Sequence, residues 1–300
     1  MKDRIKIGVL GGDLRQSVVC SLFAKQNIEC AVWGVEGLST EMNEYNIVKS
    51  ADWKGALGGA EVLILPLPLT TDGVRLNMWR NSLRSDTYIP RLTEIIQAVS
   101  KSCVILAGKV PANIKRFAAE NNVNIVDYYE SEEFQIKNAV PTAEGAIAVA
   151  IKEMDITLSG SSAFVIGYGR IGRTLALRLI SLGCHVTCVA RSKRDLAWAE
   201  CDGCNIVKLK KYQSSPTACD VIFNTVPHVI FDNTVIGALP YGQLYIDLAS
   251  SNGGIDSESA EKHGIKVVKA LSLPGKCSPV TAGRIIYDSV KEILEECGKL

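Results

Sequence analysis

Residues 162–182 combine types and spacing that can hold a dinucleotide. An apolar run at 163–166 reads as a buried strand, and Gly167, Gly169 and Gly172 form a Gly-x-Gly-x-x-Gly turn. A helix then runs to about residue 182. Gly167 permits the tight turn, Gly169 lets the backbone approach a pyrophosphate, and Gly172 lets helix and strand pack closely. The N–H groups and dipole at the helix start attract the phosphates. Tyr168, Arg170 and Ile171 therefore join the three glycines as cofactor-binding candidates. The spacing alone also fits a glycine-tolerant turn. What makes it specific is its place between one strand and the next, at 185–190.

The end of that next strand reports which dinucleotide is held. NAD sites usually carry an Asp or Glu about 20 residues past the motif, accepting from the ribose 2′-OH. Here the chain reads Ala190-Arg191-Ser192-Lys193-Arg194, with no carboxylate before Asp195. Arg191 and Lys193 can neutralise a 2′-phosphate and Ser192 can donate to it, whereas an acid would repel it. NADP is the expected cofactor, with a solvated basic turn as the bland alternative. A later strand of the same half ends at Asn224-Thr225-Val226-Pro227, where a loop would lie along the ribose and nicotinamide. Another ends at Asp247-Leu248-Ala249-Ser250, close to the nicotinamide ring. His228 is the one histidine at such a strand end and could relay a proton, although an ordinary loop residue is the favoured reading. No catalytic residue is assigned from the sequence.

In the first half, Gly11-Gly12-Asp13-Leu14-Arg15-Gln16 follows a strand but lacks the nucleotide spacing. Either it is a plain strand-to-helix turn, or Arg15, Gln16 and the helix start capture an anion. Leu65-Pro66-Leu67-Pro68 and Ala107-Gly108-Lys109 end other strands of this half. Lys109 is a candidate carboxylate partner, against the common case of a solvated lysine. Ten cysteines raise the question of metal or disulfides. Cys20, Cys30, Cys103, Cys184, Cys188 and Cys219 lie in apolar elements, where a reduced thiol packs as a small hydrophobe. Cys201 and Cys204 have Cys-x-x-Cys spacing without a second pair to complete a tetrahedral site, so no metal is expected.

Alternating elements must position these residues. In the first half, strands are expected at 5–10, 29–33, 62–65, 104–107 and 124–127, with a helix at 16–26. The second half has them at 163–166, 185–190, 206–208, 221–224, 244–247 and 265–268. This implies an α/β fold of two Rossmann-like, doubly wound parallel-sheet lobes with a cleft between them. The expected domains are a flavodoxin- or Rossmann-like substrate-side domain at 1–139 and an NADP-binding domain at 140–280. A helix is expected to start at Thr142 just after Pro141, and a last helix within 281–300 to return onto the first domain. A net charge of +1 argues against nucleic acid or anionic membrane as the main partner. The N-terminus shows no signal-type stretch, and no apolar run nears the ~20 residues of a membrane span. A cytoplasmic protein is expected, with a homo-oligomer as the default state.

Several stretches together resemble the A subunits of dipicolinate synthase from spore-forming bacteria. They are residues 11–16, 141–146, the glycine motif with 190–192, 246–250, 273–275 and 279–283, in the family's order and spanning almost the whole chain. Two departures stand out. Ser251 and Asn252 precede Gly253 and Gly254 where the family would carry a proline, and Lys276-Cys277-Ser278 replaces more apolar residues. The resemblance implies NADP-linked oxidation of a cyclic dihydropyridine dicarboxylate to dipicolinate during sporulation, and its implied partner is a flavoprotein-like B subunit. On that implication the substrate carboxylates fall to Arg15, Gln16, Thr142, Ser250 and Lys276, with Arg15 foremost because a guanidinium fork matches a carboxylate. Two alternatives remain at this stage: an NADP-dependent dehydrogenase of another small carboxylic acid, and a non-catalytic NADPH-binding subunit.

Overall fold

Short apolar runs become strands here because both of their faces are covered. The computed structural model describes residues 5–38, 46–79, 86–249 and 253–300. The chain divides into one unit of Met1–Lys137 with Pro279–Leu300 and a second of Asn138–Ser278. The first contains β1 (Lys6–Leu10), α1 (Leu14–Ala24), β2 (Glu29–Trp33), β3 (Ile47–Lys49), α2 (Trp53–Leu57) and β4 (Val62–Ile64). It continues through α3 (Leu92–Ala98), β5 (Val104–Ala107), α4 (Ala112–Glu120) and β6 (Asn124–Asp127) to a long helix, α5 (Glu132–Glu153), that carries on into the second unit. There follow β7 (Ser162–Ile166), α6 (Arg170–Ser181), β8 (His185–Ala190), α7 (Lys193–Cys201), β9 (Asn205–Lys208) and α8 (Leu209–Ser214). The second unit closes with β10 (Val221–Asn224), α9 (Asn233–Gly237), β11 (Leu244–Asp247), α10 (Ser257–Lys262), β12 (Lys266–Lys269) and α11 (Leu273–Cys277). A final helix, α12 (Pro279–Glu296), belongs to the first unit.

Each unit holds a six-stranded sheet, ordered β3-β2-β1-β4-β5-β6 in the first and β9-β8-β7-β10-β11-β12 in the second. Every pairing within them is parallel. The doubly wound α/β architecture expected from the sequence is borne out. The winding direction reverses between β1 and β4, and again between β7 and β10. Ligands of open α/β sheets bind outside the carboxyl ends of the strands at such switch points.

Strand alternation feeds two layers in each unit. Ile7 and Val9 face α1 and α12, packing with Val19, Phe23, Ile286 and Val290. Leu10 and Leu63 face the opposite layer with Trp53, Ile95 and Ile114. In the second unit Ala163 and Val165 pack under α5 and α6, while Phe164 and Ile166 meet Tyr212, Ile236 and Tyr245. Fully burying each such side chain contributes about 1.5–3 kcal/mol. The Phe23 and Tyr287 rings meet edge to face with centroids 4.8 Å apart, and Gln26 donates to the Tyr287 hydroxyl. A methyl group on Gly283 would lie 2.8 Å from the Arg15 carbonyl, so α12 sits directly against the start of α1.

Two expectations are corrected. No helix begins at Thr142, because α5 runs through Pro141 without a break. An internal proline removes a donor and costs on the order of 3 kcal/mol, but buried residues continue on both sides of it, through Phe134, Ala139, Ala143, Ala146 and Ala150. The Thr142 hydroxyl donates to the Asn138 carbonyl at 2.8 Å, inside the helix. Strand β3 was unforeseen, since it is three residues long and buries only Ile47. Among the described residues, no helix is long and apolar enough to cross a membrane.

Candidate functional site

The glycine loop sits at the carboxyl end of β7, beside the switch point. Gly167 has φ +89°, and a Cβ there would lie 2.6 Å from the Thr225 hydroxyl oxygen. A Cβ on Gly172 would meet the Gly167 carbonyl at 2.2 Å, so the first turn of α6 can approach β7 only without a side chain. Gly169, the N-cap of α6, opens on space: a Cβ would find nothing within 4 Å. No side chain caps this helix start. Close packing at two glycines and an open approach at the third fit a bound pyrophosphate.

Tyr168 does not turn toward that space. Its ring is buried, and its hydroxyl donates to Asp202 at 2.9 Å, where Arg173 Nε also donates at 2.7 Å. Burial, then the bond to Asp202, hold its pKa far above the ordinary tyrosine value. Arg173 in turn stacks on Trp198, 4.5 Å from the ring centroid. Only the backbone at Tyr168 is placed to serve a phosphate, while Arg170 is exposed and Ile171 half-buried at the helix start.

Arg191 and Lys193 lie exposed just past β8, and neither forms an ion pair or hydrogen bond with any described residue. Arg194 instead meets Asp195 at 3.4 Å. Ser192 caps α7 by accepting from Asp195 N at 3.3 Å, which leaves its O–H to donate. The result is two unpaired cations beside a serine-capped helix start.

The loops after β10 and β11 need a correction. Asn224 is wholly buried and its amide is fully used: Nδ2 donates to Val226 O at 3.0 Å and to Asp247 Oδ1 at 2.9 Å, and Oδ1 accepts from Val226 N at 3.1 Å. It shapes the loop from inside, with both ends of its amide engaged within the protein. Leu248 is likewise buried in the core. Thr225 donates to Ile166 O at 2.8 Å, keeping its oxygen free to accept, and Val226 is half-buried beside it. Pro227 and His228 are exposed. Ser250 lies outside the described residues.

In the first unit the ends of β1, β4 and β5 bring charged groups together. Asp13 caps α1, accepting from Arg15 N at 3.0 Å. Its carboxylate also takes the Arg15 fork, Nε at 2.8 Å and Nη2 at 2.8 Å, while Nη2 donates to Leu67 O at 2.5 Å. The bidentate face expected to meet a substrate is therefore already occupied, and Nη1 remains. Gln16 is 1% exposed, and neither amide atom has a hydrogen-bond partner in the protein. Gly12 lies under it, where a Cβ would clash with Gln16 Cγ at 2.3 Å.

Leu67 links Arg15 to the end of β5, since a Cβ on the neighbouring Gly108 would fall 2.7 Å from its side chain. Lys109 follows, half-buried with φ +56°. Asp127 holds that backbone in place by accepting from Lys109 N at 3.0 Å and Val110 N at 2.7 Å. The Lys109 ammonium lies 4.8 Å from the Tyr129 ring centroid and has no ion pair among the described residues. Burial lowers its pKa below the ordinary lysine value, with Arg15 adding to the shift and Asp127 opposing it. Thr142 and Lys276 belong to the other unit. Thr142 is buried within α5, and Lys276 is exposed on α11. Residue types alone give Asp13, Asp127 and Lys109 little weight, because their placement depends on the backbone geometry around them.

All ten cysteines are free thiols, and the described residues contain no cluster of three or more potential metal ligands. Residues 6–129 match the family model for the N-terminal domain of the dipicolinate synthase A subunit. Residues 107–249 match the one described as D-isomer specific 2-hydroxyacid dehydrogenase, NAD binding domain. The chain is 31% identical over 293 residues to the dipicolinate synthase A subunit of Bacillus subtilis, covering 97% of this chain and 96% of the relative. The solved dipicolinate synthase A subunit of Bacillus halodurans superposes with a TM-score of 0.86 at 27% identity, covering 97% of each chain. The corresponding solved chain of dipicolinate synthase from Bacillus subtilis gives 0.84 at 30% identity, covering 99% of this chain and 97% of that one. A transhydrogenase from Sinorhizobium meliloti, 13% identical with a TM-score of 0.66 over 98% of this chain and 93% of its own, shares the fold alone.

Proposed function

The chain belongs to the family of dipicolinate synthase A subunits, and from that membership we propose that it oxidises a cyclic dihydropyridine dicarboxylate to dipicolinate, with NADP⁺ as the oxidant. It is an NAD(P)-dependent oxidoreductase. The observation that carries the substrate is the match across 97% of the chain to a relative of that name. The preference for NADP rests on Arg191 and Lys193, unpaired where an NAD site would carry an acid. We further place a B subunit beside it as partner and the reaction in the cytoplasm of a sporulating cell, which ten free thiols suit.

The residues divide the work. Backbone N–H groups from Gly169 to Gly172 hold the pyrophosphate, Arg191, Ser192 and Lys193 the 2′-phosphate, and the Thr225–Pro227 loop the ribose. When bound, the oxidised nicotinamide accepts a hydride, and developing aromaticity of the ring favours its release. Arg15 Nη1 and the Gln16 amide hold a carboxylate at the end of β1. Fixing the ring in one orientation removes most of the entropy cost of reaction.

The test generates the cyclic precursor in situ and adds this protein and NADP⁺, with and without the B subunit. NADPH absorbance and dipicolinate, separated by chromatography, are followed together. One dipicolinate per NADPH above the spontaneous background is the expected result. Tight NADPH binding with neither product would overturn the assignment and favour a cofactor-binding subunit or a dehydrogenase of another acid.

A further inference from the structure

We propose that Lys109 takes the proton released as the ring is oxidised, an assignment that rests on the substrate reading above. Oxidation of the dihydropyridine breaks two C–H bonds. One gives its hydrogen and electron pair as hydride to the oxidised nicotinamide. The neighbouring carbon gives a proton, and the electron pair left behind becomes the new ring π bond. That proton needs an acceptor with a free lone pair, which becomes an ammonium if the acceptor is an amine.

The carboxylates at these strand ends are already committed. Asp13 accepts from Arg15 N and from its guanidinium. Asp127 accepts from Lys109 N, Val110 N and Tyr129 N. Glu36 is engaged by the Leu14 N–H. The Tyr128 hydroxyl is buried and donates to Leu65 O at 3.1 Å. An arginine does not deprotonate and an amide is no base. Gln16 Nε2 and Arg15 Nη1 are also unpaired but are not bases, so among the described residues named here Lys109 supplies the one basic nitrogen outside any ion pair or hydrogen bond.

Its placement is also costly, which points to a role. A non-glycine residue in the left-handed region costs of order 1–3 kcal/mol, and such residues persist where the surroundings enforce them. Here two hydrogen bonds to Asp127 enforce it. The segment from Leu65 to Leu69 runs between Arg15 and Lys109, hydrogen-bonded to both sides through Leu67 O and through Leu69 N to Gly108 O at 2.7 Å. Three groups face the amine: the Tyr129 ring, Asp127 from β6 and Arg15 from α1. Desolvation, and after it Arg15, act against the ammonium while Asp127 supports it, and the net direction is a pKa below the ordinary lysine value.

The test uses this chain in complex with its B subunit. It compares Lys109→Arg, which keeps a cation that does not accept a proton, with Lys109→Ala. Both variants should bind NADPH like the parent, as a check on folding. We expect kcat to fall on the order of 100-fold or more in both, with KM in Lys109→Arg within about threefold, as for an acid–base group and not a carboxylate holder. The parent's kcat should rise with pH along a limb whose midpoint lies below the ordinary lysine value of 10.5. That limb should vanish in Lys109→Arg, and methylamine should restore part of the Lys109→Ala rate. NMR of ¹³C-methylated lysines should show one low-titrating resonance that is missing from Lys109→Arg. Full kcat with an unchanged limb in Lys109→Arg would overturn the proposal. So would a raised KM at unchanged kcat, which would make Lys109 a carboxylate holder. A parent that makes no dipicolinate would instead sink the substrate reading, and the Lys109 role with it.

Discussion

At the scale of single residues, the contrast between Arg191 and Arg15 is informative. Arg191 directly follows β8 and Arg15 lies in the first turn of α1, yet the first is exposed and unpaired while the second is buried and held by Asp13. An exposed cation facing a dianionic phosphate contributes through local charge, so Arg191→Asp both removes attraction and adds repulsion. Titration of this variant should show NADPH binding weakened well over tenfold, about 1.4 kcal/mol per decade, with NADH binding nearly unchanged. The difference should shrink as salt is raised, since the site is solvated. Equal losses for both cofactors would mean that Arg191 does not read the 2′-phosphate. Residue types nominated Asn224 and Arg15 as readily as Arg191. Which of their atoms are spent inside the protein became visible only from the hydrogen bonds.

At the scale of elements, α12 shows how the ends of the chain meet. Its Tyr287 ring is 8% exposed, stacked edge to face on Phe23 of α1, and its hydroxyl accepts from Gln26. Tyr287→Ala leaves a cavity between α12 and α1, the helix whose first turn carries Arg15. We expect a loss of about 3 kcal/mol in unfolding free energy, together with reduced hydrogen-exchange protection in α1. Unchanged protection there would mean that α12 contributes nothing to holding α1. Element types and the central strands were readable from apolar runs, and β2, β5, β6, β8, β10 and β11 fall on the residues expected. The start of α5 was not, because local proline chemistry argued for a break that buried contacts on both sides override.

At the scale of the whole molecule, the cysteines report on packing. Cys201, Cys277 and Cys297 are exposed, whereas the other seven are buried or partly so. Burial pushes Cys103 up to about 11 and Cys188 and Cys219 up to about 12, which keeps them as thiols at neutral pH. Dithiobis(nitrobenzoate) at pH 8 should therefore titrate three thiols quickly in the native protein and the remaining seven only after unfolding, the fast phase accelerating with pH as thiolate forms. More than three fast thiols would mean a looser core than described. The sequence by itself determined the class of fold, the glycine loop and the basic turn after β8, because each follows from local periodicity, backbone sterics and charge within a few residues. Tertiary structure alone decided that Asp13 occupies the Arg15 fork, that Asn224 is internal, and that Asp127 pins Lys109. Those outcomes depend on side chains meeting across loops and strands, where register and burial, and not residue type, choose the partner.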